Sequence, residues 1–285
     1  MDPQRKDIAD LFSVILEGDT GVEALPRKSK GATAEESVEL GTQFLNEGNY
    51  DKAIEHFQRA IEQQGPQGIE GRIGLGSAYE YAEMSPAALR EYHRALRVTK
   101  DSPEVLVGLS QIYKRHARYK DSLKQIEDAL ALDPKNAFYQ FKAAELLREV
   151  GDRERALLAA RLAVAAAPDD SFYHYWLGDL LIEMGRYEEA LAALKAALDL
   201  SPGDDYLYLR AATAFWGVGK RQESIKSVRL ASDLDPDKHL YHGVLELLLA
   251  KSGLDEEAKL EAQRASKMDN YDRDALDRFA SELRL

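Results

Sequence analysis

Apolar residues along this chain recur at helical spacing, in pairs of short runs. In residues 171–204, Leu177, Gly178 and Leu181 fall on one helical face, Gly185 interrupts, and Ala190, Leu194 and Ala197 fall on one face of a second helix that Pro202 ends. The pattern predicts a helical hairpin. The same outline returns every 34 residues: Gly151, Gly185, Gly219 and Gly253 form one series, Pro134, Pro168, Pro202 and Pro236 a second, and Ala95, Ala129, Ala163, Ala197, Ala231 and Ala265 a third in the same phase. A hairpin with one apolar stripe on each helix cannot bury that stripe alone, so successive hairpins must stack. Small residues where two helices cross let the backbones approach, and larger residues beside them fill the groove.

The order of an aromatic, Leu-Gly, a second large residue, then Ala, a large residue, Ala and Pro resembles the tetratricopeptide repeat. His174, between Tyr173 and Tyr175, occupies the usual tryptophan place, and Leu181 and Leu194 stand for aromatics. The resemblance implies an all-α fold, a right-handed α-solenoid of helical hairpins. Seven repeats follow from the spacing, at 34–67, 69–102, 103–136, 137–170, 171–204, 205–238 and 239–272. One extra residue near Gly68 shifts the frame once. Glu83 stands where a turn glycine is expected, with Pro86 after it, which predicts an unusual turn, and Ser110 and Ser122 replace small apolar residues. Beyond residue 272, Ala275, Leu276, Phe279 and Leu283 share one face, so 273–285 is expected to be a capping helix over the array's last apolar surface.

Residues 1–33 lie outside the repeat. Ile8, Leu11, Phe12 and Ile15 predict a short amphipathic helix, and the stretch after it, with Gly, Thr, Pro, Arg27, Lys28 and Lys30, reads as a flexible linker. Such a tethered helix is a candidate docking element for its own groove, a second copy or another protein.

Composition narrows the function. The formal net charge of −12 opposes a general affinity for nucleic acid, which depends on clustered cations releasing counterions. With no cysteine there is no disulfide framework, thiolate metal site or cysteine nucleophile. No apolar run reaches the roughly 18 residues of a membrane span, and the N-terminus, with Asp10 in its apolar stretch, does not read as a secretory signal. A cytoplasmic location is expected. Gly74-Leu75-Gly76 falls within a helix-packing signature rather than after a strand, and His239 and His242 share a face without a third ligand nearby. The expectation is therefore a chain without catalytic, cofactor or metal sites.

In tetratricopeptide proteins the first helix of each hairpin lines the concave face, and the resemblance carries that assignment over by position. Three rows result. One includes Phe141, Tyr175, Leu209 and Gly243; a second Glu145, Asp179 and Thr213; a third Glu80, Lys114, Arg148, Ile182 and Trp216. The partner-binding candidates are Phe141, Glu145, Arg148, Tyr175, Asp179, Ile182, Leu209, Thr213 and Trp216, with Tyr175 and Trp216 foremost because such residues dominate hot spots. The clamp by which one subfamily holds a chaperone's C-terminal carboxylate is missing, since its places hold residues such as Val38, Thr42, Gly74, Glu104 and Gly108.

Two readings follow: a scaffold or adaptor that binds a peptide or helical segment of a partner protein, and a structural component that self-associates. The second would use the N-terminal helix, or the basic residues of repeats two and three (among them Arg90, Arg94, Arg115 and Arg118) against acidic residues near the C-terminus such as Asp255, Glu256, Glu257 and Glu261.

Overall fold

The structure, a computed structural model, describes residues 33–65, 68–99, 101–268 and 273–283. Among these, fifteen helices follow one another without a strand. They are α1 (Ala34–Asn46), α2 (Tyr50–Gln64), α3 (Ile69–Tyr81), α4 (Ser85–Val98), α5 (Pro103–Arg115), α6 (Tyr119–Leu132), α7 (Ala137–Glu149), α8 (Arg153–Ala166), α9 (Ser171–Glu183), α10 (Tyr187–Leu200), α11 (Asp205–Gly217), α12 (Arg221–Leu234), α13 (His239–Lys251), α14 (Asp255–Ala265) and α15 (Arg273–Glu282). Helices α1 to α14 pack pairwise as seven hairpins, each with a first helix A and a second helix B. No helix among the described residues is long and apolar enough to cross a membrane. The fold is all-α, built of successive helical hairpins, and the chain divides into two compact units, Met1–Pro134 with α1–α6 and Lys135–Leu285 with α7–α15.

Every A helix ends in the same way. The residue after the turn donates its N–H to the carbonyl five residues back, at 2.8 to 2.9 Å, from Asn49 to Phe44 in the first hairpin through Leu254 to Leu249 in the last. This closure needs a left-handed residue just before the donor. Glycine supplies it at Gly48, Gly151, Gly185, Gly219 and Gly253, while Glu83 (φ 61°) and Ala117 (φ 55°) supply it in the second and third hairpins. The turn at Glu83, expected to be unusual, is thus the common turn made by a residue with a Cβ. Pro86 sits in the first turn of α4, where its missing N–H costs nothing. The extra residue near Gly68 is taken up between α1 and α3: α2 has 15 residues where α4, α6, α8, α10 and α12 have 14.

Helix starts are capped by side chains. Thr33 and Glu36 form a reciprocal capping box, and Asn49, Asn136, Asp152, Asp170 and Asp204 each accept a first-turn N–H.

In the first unit two aromatic rings on B helices organise the core. The Phe57 ring fills the space that side chains at Gly41 and Gly74 would need, and the Tyr92 ring does the same at Gly76 and Gly108. The Tyr92 hydroxyl donates to Glu80 at 3.2 Å and lies 3.1 Å from the Ser77 hydroxyl, and Arg115 donates to the Glu80 backbone carbonyl at 2.9 Å. Glu80, placed by its repeat position on the binding face, is in fact 6% exposed. Burial pushes its carboxyl above the ordinary value, against the pull of Tyr92 and Arg115. Ser110 and Ser122 bond to one another at 2.8 Å, and Ser122 donates to the Ser110 carbonyl at 2.7 Å, so these replacements satisfy each other. In the second unit one cluster joins Leu209 and Ala212 of α11, Ile225 and Val228 of α12, Tyr241, Val244, Leu245 and Leu248 of α13, and Leu276, Phe279 and Leu283 of the last segment.

Candidate functional site

The candidates lie on the A helices of the second unit: Phe141, Glu145 and Arg148 on α7, Tyr175, Asp179 and Ile182 on α9, and Leu209, Thr213 and Trp216 on α11. Helical spacing of three and four residues puts each trio on one face. The structure brings the three helices into register through side chains. Arg148 reaches Asp179 at 3.8 Å and Glu183 at 3.3 Å, and Asp179 takes a second cation, Arg210 of α11, at 2.5 Å. Burial raises the Glu183 carboxyl, opposed by Arg148 and reinforced by Asp179.

Position alone does not make these residues reachable. Phe141 is buried, its ring 4.9 Å from Phe172, 5.4 Å edge-on to Trp176 and 6.0 Å from Tyr173. Ile182, Leu209 and Thr213 are buried as well, the Thr213 hydroxyl donating to the Leu209 carbonyl at 3.3 Å. Trp216 is half-buried against the second unit's core, with the Arg221 guanidinium 5.4 Å over its ring. Glu145 is partly exposed and meets Lys142 at 3.2 Å. Tyr175 is partly exposed and meets Tyr206 edge-on at 5.8 Å. Burial, the nearby Asp179 and Tyr206 together raise its phenol above the ordinary range.

The exposed large apolar residues of these three helices lie three positions earlier on the same face. Phe138 (40% exposed), Phe172 (45%) and Tyr206 (40%) occupy the first turns of α7, α9 and α11, each 34 residues from the next. Sequence reasoning missed them, although the spacing that exposed the glycine and proline series also marks this one. Trp176 was missed too: it packs under Arg148, whose guanidinium lies 5.0 Å over the ring. Two hollows flank the aromatic row. One of about 250 Å³ is lined by Ser171, Phe172, Tyr175, Asp204, Tyr206 and Leu207. The other, about 440 Å³, is lined by residues that include Asp179, Glu183, Tyr187, Tyr206, Arg210 and Ser281. Carboxylates border both, and each is engaged: Asp179 with Arg148 and Arg210, Glu183 with Arg148, and Asp204 with the Tyr206 and Leu207 N–H groups.

The remaining sequence candidates fall elsewhere. Ile8, Leu11, Phe12 and Ile15 lie outside the described residues. His242 is held between Glu261 at 2.7 Å and the Pro236 carbonyl at 3.1 Å, and His174 meets the Pro168 carbonyl at 2.8 Å, the equivalent contact two repeats earlier. Among the described residues no three His, Cys, Asp or Glu side chains gather as a metal site. Several of the charges that suggested pairing between copies are engaged locally: Arg94 with Glu91, Arg115 with Glu80, Arg118 with Asp121, Lys259 with Glu256, Arg264 with Glu261 and Arg229 with Glu257.

Comparison with known proteins agrees with this architecture. Models of the tetratricopeptide repeat match residues 38–83, 73–137 and 171–204. Superkiller protein 3 of Schizosaccharomyces pombe is 30% identical over 106 residues, 37% of this chain but 8% of that protein, so the chain spans under a tenth of the length of this curated relative. A tetratricopeptide repeat protein from Parabacteroides merdae has a similar structure, with TM-score 0.62 and 16% identity over 90% of this chain and 100% of that one. YrrB, described as a TPR protein with an unusual peptide-binding site, superposes with TM-score 0.55 and 22% identity over 65% of this chain and 95% of its own. MamA from Desulfovibrio magneticus superposes with TM-score 0.54 and 20% identity over 62% and 95%. The 34-residue hairpins, their shared turn, the family matches and the solved structures converge: the chain is a tetratricopeptide-repeat protein.

Proposed function

We propose that the chain is a non-catalytic scaffold that binds a peptide segment of a partner protein along the A helices of its second unit. The observation that carries this reading is the row Phe138, Phe172 and Tyr206, three large aromatics left 40 to 45% exposed at one repeat position. Aromatics at this level of exposure, aligned by the repeat and flanked by hollows, form an apolar strip of the kind that marks recognition surfaces. Each apolar anchor on a partner would contribute roughly 1.5–3 kcal/mol on burial, so two or three suffice for useful affinity after the entropy of association. The likeness to YrrB supports peptide binding as a use of this fold.

The test is selection of a random peptide library on the full chain, followed by titration of the enriched peptide. Binding should weaken at least fivefold with Phe172→Ala and again with Phe138→Ala, while Leu158→Ala, an exposed change on the B helix α8, leaves it unchanged. Equal weakening by all three, or by none, removes the support.

A further inference from the structure

One pair of outward positions on the B helices changes character along the chain. In the first three hairpins, allowing for the extra residue near Gly68, these positions hold charges: Glu55 and Arg59 on α2, Arg90 and Arg94 on α4, Lys124 and Asp128 on α6. In the next three they hold Leu158 and Leu162 on α8, Ala192 and Ala196 on α10, and Lys226 and Leu230 on α12. The members of each pair are four residues apart and share a helical face. Leu158 is 60% exposed, Leu162 44% and Leu230 40%, and Leu260 of α14, next in the Leu158 series, is 56% exposed. Solvated helix faces are ordinarily polar, and leucines gathered on one mark an interaction surface. By contrast, the exposed Val98, Leu132, Leu200 and Leu234 end B helices in both units and belong to the repeat itself.

The face has a shape and a charge. Helix α10 follows α8, with Arg161 of α8 meeting Glu189 of α10 at 2.8 Å, and α12 follows in turn. The α10 alanines stand lower than the leucines of the neighbouring helices, which leaves a shallow apolar trough along α10. Two exposed cations stand at this trough: Lys195 beside Ala192 and Ala196, and Lys226 one turn before Leu230. Arg161 and Arg229 are neutralised by Glu189 and Glu257, whereas neither Lys195 nor Lys226 makes an ion pair among the described residues. The exposed carboxylates of Glu223 and Asp199 lie toward opposite ends of these helices, so the lysines hold the middle of the trough. Unpaired charge at the rim of an apolar strip selects the sign of what covers it.

We propose that the B-helix face of the fourth to sixth hairpins is a second partner surface, fitted to an amphipathic helix of another protein whose apolar stripe is edged by Glu or Asp near its middle. Leu158, Leu162 and Leu230 hold the stripe, the α10 alanines let the partner's backbone approach, and Lys195 and Lys226 pair with its carboxylates. This surface lies on other helices than the aromatic row, so a scaffold using both holds two segments at once.

The experiment selects a displayed library of helix-forming peptides, apolar on one face and varied among Glu, Lys and Gln at its edge, on the full chain. Enriched peptides should carry Glu, although a chain of net charge −12 taken as a whole would draw Lys. The most enriched peptide, made synthetically, should lose affinity about tenfold with Leu158→Ala/Leu162→Ala. Its version with Lys for Glu should become the preferred one when the chain carries Lys195→Glu/Lys226→Glu. All four positions are exposed, so thermal midpoints read by circular dichroism should not move. Phe172→Ala should leave this affinity unchanged, which keeps a failure here distinct from a failure of the aromatic row. Enrichment of Lys-edged peptides, no enrichment, affinity indifferent to the leucine pair, or a fallen midpoint each overturns the proposal. So does a mass that rises with concentration in the parent and not in Leu158→Ala/Leu162→Ala, because a second copy would then be the occupant.

Discussion

Glu83 and Ala117 take φ values of 61° and 55° in turns that glycine makes elsewhere in the chain. A left-handed residue with a Cβ costs roughly 1–2 kcal/mol, offset in part by the greater freedom glycine has when unfolded. Ala117→Gly should therefore raise stability by about 0.5–1 kcal/mol, and Gly185→Ala should lower it by about 1 kcal/mol, both read from urea denaturation midpoints. Glu80 offers a second test at this scale. Burial raises its carboxyl above 4.5, so the folded chain holds this proton more tightly than the unfolded chain does. Wild-type stability carries a contribution that is lost as pH rises from 4.5 through the raised value. Glu80→Gln lacks that titration, and its stability relative to wild type should climb as pH rises above 4.5. A flat difference would show that the carboxyl does not titrate anomalously. The turn glycines were legible because one residue type meets a local backbone demand. Glu80 was misplaced because its burial depends on Tyr92 of α4 and Arg115 of α5, not on its own helix.

At the scale of elements, close approach of helices decides which substitutions the fold tolerates. The Tyr92 ring touches the positions where side chains at Gly76 and Gly108 would stand, at 2.5 and 2.4 Å. Gly108→Ala should cost about 1–3 kcal/mol by overpacking, visible as a lower thermal midpoint. Trp216 has a packing role at this scale. It packs against the core that α11, α12 and α13 share, so Trp216→Ala should lose roughly 2 kcal/mol of stability and leave the library-selected peptide's affinity unchanged. Loss of binding without loss of stability would return Trp216 to the recognition surface. Its helix position was readable from the 34-residue period; its role was not, because the same face of α11 is reachable near Tyr206 and covered near Leu209.

For the whole molecule, the scaffold reading predicts a monomer of 31.9 kDa by light scattering across a dilution series. A mass that rises with concentration in the full chain and not in one starting at Ala34 would favour assembly through the N-terminal segment. Added salt should change little, since ion pairs such as Arg94–Glu91 and Arg118–Asp121 already engage several of the charges on which pairing between copies would depend.

What the sequence determined by itself was local and periodic: helices, caps, turns, the phase of the hairpins and the helical face on which each residue sits. These follow from neighbours within a few positions, which a single chain displays directly. The tertiary structure alone decided which residues of that face remain open. Phe141 closes against Phe172 and Trp176 of the next hairpin, whereas Phe172 itself stays exposed. It also decided where α15 lies, because a helix with one apolar face is placed by the best apolar surface within reach. That surface is the one Gly243 leaves clear on α13, and burial there depends on residues up to 74 positions apart, from Leu209 to Leu283.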